Sequence, residues 1–175
     1  NVDDAIAKVP SAKGGKYEVV VYESVALGYG GAWSNNPWLQ EMPDPVTKAT
    51  WDNYVCMSPK TAKEQFDAEL TGINQVVREK RIVKVKVGNK EVALPIVVVP
   101  GMHNDVVAVA IGYGRDVKVG RAATNGKNTY PLVTFNGQTF AYTNNATVEK
   151  TGDFYPIAIT QTHHSYEDRP ILREY

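Results

Sequence analysis

The segment 35–53 constrains the fold of this chain more than any other part of the sequence. It carries two tryptophans, Trp38 and Trp51, and three prolines, at positions 37, 43 and 45. Its apolar residues follow neither the period of a helix nor that of a strand, and the prolines rule out a helix interior and remove three amide donors. Because exposed tryptophans cost free energy, we expect an ordered irregular crossing that is held in place by its aromatic side chains.

Most of the remaining chain consists of short segments rich in valine and tyrosine, which predict β-strands. Gly88-Asn89 and Asn136-Gly137 are two-residue turn signals that predict hairpins. The predicted strands are residues 16–23, 53–57, 81–88, 91–99, 105–111, 130–135, 138–142 and 155–160. Many short strands separated by glycine and proline turns favour a closed β-barrel, and a β-sandwich is the competing interpretation.

One segment has a convincing helical composition. Ser58 can cap its first turn, Pro59 suits the first helical position, and residues 61–70 are good helix formers. We therefore expect a mainly β domain with one or two short helices.

The domain organisation follows from length and local composition. Residues 1–15 are polar and loosely patterned, so we expect a flexible N-terminal joint, and residues 16–175 are expected to form a single domain. Because the chain starts at Asn1 without a methionine, we expect it to be a fragment of a longer subunit.

The bulk composition excludes several classes of function. The chain has 19 basic and 19 acidic residues, so its neutral charge argues against a nucleic-acid surface. Its longest apolar stretch, residues 93–100, is too short to span a bilayer. The single cysteine, Cys56, excludes internal disulfides and an iron–sulfur cluster held by this chain alone. We predict that Cys56 is a buried strand residue.

Two glycine-rich segments suggest a phosphate loop, Gly28-Tyr29-Gly30-Gly31 and Gly112-Tyr113-Gly114-Arg115. A dinucleotide fingerprint needs a helix directly after its glycines, and neither segment is followed by a helical pattern. We predict tight loops at strand ends, although a glycine loop beside Arg115 can approach a phosphate closely.

No other cluster predicts a reaction. His163 and His164 are adjacent in an extended segment and point to opposite sides, so they cannot readily bind one metal ion. Glu41, Asp44 and Asp52 lie in an irregular segment, where their spacing fixes no geometry for a pair of catalytic carboxylates. We predict no catalytic residue and no metal site.

Several segments, taken in order along the chain, carry a family resemblance: residues 36–48, 51–53, 58–62, 99–101, 109–115, 126–132, 160–166 and 169–174. Together they resemble the C-terminal, dinucleotide-binding domain of the molybdopterin oxidoreductase superfamily. Within that superfamily, the Gly-Tyr-Gly-Arg and Thr-His-His segments are most similar to the large iron–sulfur subunit of bacterial alternative complex III.

This resemblance implies a double-psi β-barrel, in agreement with the strand pattern. It also implies a non-catalytic scaffold in the electron-transfer subunit of a membrane-bound quinol:electron-acceptor oxidoreductase, at the periplasmic face of a bacterial inner membrane. The implied partners are the rest of its own subunit and neighbouring subunits, with no nucleic acid and no membrane span of its own. Iron–sulfur clusters would lie elsewhere in the subunit, and this chain would bind no cofactor.

The resemblance also implies a relic pterin cleft, bordered by Asn35 and Trp38. The residues carried over to its rim are Gly112, Gly114, Arg115, Asn128, His163, His164 and Arg169. The alternative is an active polysulfide- or thiosulfate-reductase-like enzyme whose bis-molybdopterin guanine dinucleotide this domain clamps. In that case Arg115 and Arg169 would hold phosphates, and His163 or His164 would hydrogen-bond the pterin.

Overall fold

The computed structural model describes residues 2, 15–28, 30–68, 79–135 and 137–160. Two short helices, α1 and α2, lie between the early strands, and three single-turn 3-10 helices lie between β5 and β6. In chain order the elements are β1 (Tyr17–Glu23), α1 (Pro37–Glu41), β2 (Val55–Met57), α2 (Pro59–Phe66), β3 (Glu79–Val87), β4 (Lys90–Val98), β5 (Val106–Ile111), the 3-10 turns Val117–Val119, Ala122–Thr124 and Tyr130–Leu132, β6 (Thr134–Phe135), β7 (Phe140–Ala141) and β8 (Thr143–Pro156).

Six of these strands form a closed barrel in the order β1-β5-β2-β4-β3-β8. β1 is parallel to β5, and β2 is parallel to β4. The other pairs, β2–β5, β3–β4, β3–β8 and β1–β8, are antiparallel. The pairing is unchanged when β1 is exchanged with β4, β2 with β5 and β3 with β8. The barrel therefore consists of two three-strand halves whose strands alternate within the sheet.

Alternating residues of the strands fill the barrel interior. Tyr17, Val19 and Val21 of β1 are almost fully buried, and Val107 and Val109 of β5 lie beside the two valines in the parallel register. β3 and β4 contribute further valines and Leu94 to the same cluster. Each fully buried valine or leucine stabilises the fold by about 1.5–3 kcal/mol relative to exposure, so the period-two pattern of the sequence drives barrel closure.

A second, smaller apolar cluster lies on the outer face of the barrel. Cys56 of β2 is in register with Val97 of β4, and Ala49, Tyr54 and Ile157 cover this part of the sheet. Ala49 of segment 35–53 therefore packs against the outer face of β2 and β4.

Several sequence predictions are confirmed. The structure is mainly β with a closed barrel and two short helices, so the β-sandwich alternative is wrong. The β3–β4 hairpin turns at Gly88-Asn89, and Cys56 is a buried strand residue. α2 starts as expected, because the Ser58 hydroxyl accepts from the Thr61 amide and Pro59 takes the first position.

Other predictions need correction. Segment 35–53 contains the helix α1, because Pro37 at its first position does not interrupt a helix and Asn36 accepts from two amides of the first turn. α2 ends at Phe66, before residue 70, and residues 130–132 form a 3-10 turn. The strand prediction over 155–160 is wrong beyond residue 156, where the longer β8 ends. β8 alternates poorly because Ala146 is its only buried residue.

Candidate functional site

The two glycine-rich loops predicted as tight turns meet each other at one end of the barrel. Gly31 and Gly112 are buried, and both have positive φ, +94° and +100°. A Cβ atom on Gly31 would lie 2.5 Å from the Gly112 Cα, and one on Gly112 would lie 2.7 Å from the Gly31 Cα. Residues 30–31 and 112–114 form this contact. We call the region the glycine cleft, after the cleft that the sequence resemblance implies at Gly112 and Gly114. Its two backbones touch directly, so only glycine fits at either position.

Two side chains donate hydrogen bonds to backbone carbonyls of the glycine cleft. Arg115 Nη1 donates to the Gly31 carbonyl at 2.6 Å, and the Tyr130 hydroxyl donates to the Gly30 carbonyl at 2.6 Å. The Gly31 carbonyl also accepts from the Ser34 amide at 3.0 Å. Arg115, predicted as a phosphate ligand under the enzyme alternative, therefore uses one of its donors on the protein backbone.

The remaining described rim residues are engaged in local contacts. A Cβ atom on Gly114 would lie 2.4 Å from the Asn128 amide nitrogen, so these two backbones also pack closely. The Asn128 side chain is exposed and accepts from the Tyr130 amide at 3.1 Å. Of the predicted rim residues, the structure thus brings Gly114 and Asn128 together as parts of a packed loop junction, while Gly112 packs against Gly31.

Asn35 and Trp38, predicted to border the cleft, take different roles. A Cβ atom on Gly120 would lie 2.0 Å from the Asn35 Cγ, so the Asn35 side chain packs over Gly120 and joins α1 to the first 3-10 turn. The Trp38 side chain is 83% exposed. The prediction that aromatics hold this segment is wrong for Trp38, since the ring lies on the outer face of a short helix.

Polar side chains hold the segment instead. Gln40 is 3% exposed, and its Nε2 donates to the carbonyls of Ser34 and Ala122, while its Oε1 accepts from Asn125 Nδ2. These bonds join α1 to the loop that follows β5. Sequence reasoning missed Gln40, because a single glutamine among polar neighbours carries no pattern that marks it as buried.

Asn53 is a second buried polar residue that the sequence analysis missed. It is 1% exposed; its Nδ2 donates to the carbonyls of Ala110 and Lys127, and its Oδ1 accepts from the Lys127 amide at 2.9 Å. Thr129 also donates to the Ala110 carbonyl. Asn53 therefore fixes the position of the 126–129 loop relative to the end of β5.

Tyrosines surround Cys56 on the outer face of the barrel. The Tyr22 hydroxyl lies 4.0 Å from the Cys56 Sγ, and Tyr54 hydrogen-bonds Thr47. Burial raises the pKa of the Cys56 thiol to about 12, and the Asp44 carboxylate adds to this shift. Burial likewise raises the pKa of Tyr22 and of Tyr54 above the ordinary range. Since only a thiolate is a good nucleophile, the burial of Cys56 and its raised pKa both disfavour reaction at this thiol.

The predicted site residues His163, His164 and Arg169 lie outside the described residues. Within the described part of the chain, no group of three or more histidine, cysteine or acidic side chains is arranged to hold a metal ion. None of the described helices combines the length and the hydropathy needed to cross a bilayer.

No known family model matches this chain, and no curated protein matches it either.

Proposed function

We propose that this chain is a double-psi β-barrel domain that serves as a non-catalytic scaffold in the iron–sulfur electron-transfer subunit of alternative complex III. Its role would be to pack against the cluster-bearing part of the subunit and its neighbours at the periplasmic face of a bacterial inner membrane. Such packing fixes the distances between electron donors and acceptors and excludes water from the path.

The pairing symmetry of the barrel supports the double-psi assignment. The parallel pairs β1–β5 and β2–β4 are exchanged when the two three-strand halves are exchanged. The antiparallel pairs β3–β4 and β1–β8 are exchanged in the same way. A barrel that mixes parallel and antiparallel pairs with this symmetry needs crossing connections within each half, as a double-psi barrel has.

The observation that carries the scaffold proposal is the direct contact between Gly31 and Gly112. In a loop that cradles a phosphate, glycine backbones leave room for the anion and turn their amides toward it. Here the Gly31 and Gly112 Cα regions are packed so closely that neither tolerates a single added carbon. The direct contact between the two loops therefore supports packing, rather than phosphate binding, as the role of the glycine cleft.

The outer surface beside the glycine cleft supports a packing role. Trp38 of α1 is 83% exposed and Val117 of the first 3-10 turn is 68% exposed, and the Asn35–Gly120 contact joins these two elements. Met42 and Val119 add further half-exposed apolar surface nearby in sequence. Burying apolar area gains about 25 cal/mol per Å², so we propose that these side chains face the iron–sulfur half of the subunit.

Metal and pterin analysis of the intact complex tests the proposal. We expect stoichiometric iron, with neither stoichiometric molybdenum or tungsten nor extractable pterin, when an active molybdenum reductase is processed in parallel as the positive control. Molybdenum at one atom per subunit together with released pterin would contradict the scaffold and support the cofactor-clamping alternative.

A further inference from the structure

A groove separate from the glycine cleft runs over the outer face of the β3–β4 hairpin. Its volume is about 270 Å³. Ile82, Ala93 and Pro95 form an apolar floor, and Asp52, Lys127 and Tyr155 are the ionisable residues that line it. We call it the Asp52 groove. A space of this size holds a small organic molecule or a single long side chain.

The backbone that presents Asp52 is held in an unusual conformation. Trp51, the residue before it, has φ of +67°, which costs a residue with a side chain about 1–2 kcal/mol. The Asp52 amide donates to the Thr50 carbonyl at 2.7 Å, and Asn53 is fixed by its three hydrogen bonds. Hydrogen bonds therefore hold the backbone at Asp52 and at the residue that follows it, and they fix the position of the Asp52 carboxylate in the groove.

The Asp52 carboxylate lines the groove and accepts from one side-chain hydroxyl. The Tyr155 hydroxyl donates to Asp52 Oδ2 at 3.0 Å, the Gly126 amide faces the same carboxylate, and the Lys127 ammonium contributes a favourable field. Partial burial nevertheless outweighs these three contributions and raises the pKa of Asp52 above the ordinary range. A negative charge in this state gains from one more donor, and most from a positively charged one.

We propose that the Asp52 groove binds an organic cation, whose ammonium or guanidinium group donates to Asp52 while a short apolar body covers Ile82, Ala93 and Pro95. The cation would be either a free small amine or the tip of an arginine or lysine side chain. A charged donor on a half-buried carboxylate is stronger than a neutral donor, and the aliphatic floor selects for an apolar body next to the charge. The site does not depend on the scaffold role, since no residue of the glycine cleft lines it.

Lys127 supplies the discriminating feature of this site. Its side chain is exposed, and its backbone, not its ammonium, makes the bonds to Asn53. A cationic ligand would compete with the Lys127 ammonium for the same carboxylate. Removing the charge of Lys127 should therefore strengthen binding, whereas removing that of Asp52 should weaken it.

Titration of the isotope-labelled full chain by NMR tests the proposal, with benzylammonium as the first probe and acetyl-arginine methylamide as the second. We expect saturable shifts of the amides that line the groove, and about tenfold weaker binding of benzyl alcohol, which has the same ring without the charge. Binding of benzylammonium alone points to a free amine, and binding of the arginine derivative alone points to a protein side chain. Both results support the site. No saturable shift with either cation, or equal binding of the alcohol, would overturn it.

Two variants then separate binding from general effects on the fold. Asp52→Asn keeps an acceptor for Tyr155 and should weaken cation binding about tenfold, while Lys127→Gln should strengthen it about two- to fivefold. Lys127→Gln leaves the two backbone hydrogen bonds of residue 127 to Asn53 in place, so it remains informative even if Asp52→Asn folds poorly. Unchanged binding in a folded Asp52→Asn chain, or weaker binding in Lys127→Gln, would contradict the proposed site.

Discussion

The glycine cleft and the Asp52 groove both include residues of the loop that follows β5, and they differ in how their polar groups are satisfied. In the glycine cleft, the carbonyls of Gly30 and Gly31 each accept from a side chain, and the facing backbones touch. In the Asp52 groove, a partly buried carboxylate whose pKa is raised by burial faces an open space over an apolar floor.

This difference separates packing from recognition. A group whose partners all come from its own chain gains little from a ligand, because a ligand must first displace those partners. A carboxylate that is held in place beside an open space can accept a hydrogen bond from a ligand without first losing a partner. We therefore propose a structural role for the residues that resemble a cofactor site, and a binding role for the groove that no sequence motif marked.

The largest effect is expected from closing the glycine cleft with one extra carbon. Gly31→Ala places a Cβ against the backbone of Gly112, and overpacking of this kind typically costs 1–3 kcal/mol or more in addition to backbone strain. Gly101→Ala is the matched control, because Gly101 has φ of +91° but nothing within 4 Å of its Cβ position. Chemical denaturation should show Gly31→Ala to be at least about 2 kcal/mol less stable than Gly101→Ala. Equal losses would mean that the two loops are not in contact.

A smaller loss is expected from the side chain that caps the cleft. Arg115→Ala removes the 2.6 Å bond to the Gly31 carbonyl, but the Ser34 amide still serves that oxygen, so we expect a loss of about 1 kcal/mol in the free energy of unfolding. Arg121→Ala is the control, since that exposed arginine should change stability by less than about 0.5 kcal/mol. If both variants were equally stable, Arg115 would have no structural role in the cleft and would be available for a ligand.

The sequence predicts the barrel better than it predicts the loops. The sequence predicts four strands, β1, β3, β4 and β5, because alternate residues of these strands point into the barrel interior. The Gly88-Asn89 turn sets the register of the β3–β4 hairpin. The sequence does not predict most of β8, because nearly all of its residues are exposed or half-buried and therefore show no alternation. A strand of this kind is held by pairing with β1 and β3, and no local pattern records that pairing.

The two regions also differ in how far the sequence reveals them. The glycine-rich segments of the cleft can be recognised in the sequence. Whether their backbones surround an anion or pack against each other depends on a contact between Gly31 and Gly112, which are 81 positions apart in the chain. Asp52 is visible as one of three acidic residues in segment 35–53, but its groove requires Tyr155 of β8 and the β3–β4 hairpin. Gln40 and Asn53 are hidden for the same reason, since their partners are distant backbone atoms.

The smallest effect concerns the pH dependence of stability, and it distinguishes an under-compensated carboxylate from a well-paired one. Partial burial raises the pKa of Asp52 in the native state, so the native chain holds this proton more tightly than the unfolded chain. The free energy of unfolding of the parent chain, relative to Asp52→Asn, should therefore fall as the pH rises from about 4 through the native pKa, by less than about 1 kcal/mol. Glu91 provides the opposite case, because Lys84 and Lys86 lower its pKa, so its contribution relative to Glu91→Gln should be lost as the pH falls below about 4. Denaturation curves at closely spaced pH values measure both differences. A rise with pH for Asp52 would show that Tyr155, Gly126 and Lys127 more than offset the burial of the carboxylate, and it would remove the electrostatic reason for a cation in the groove.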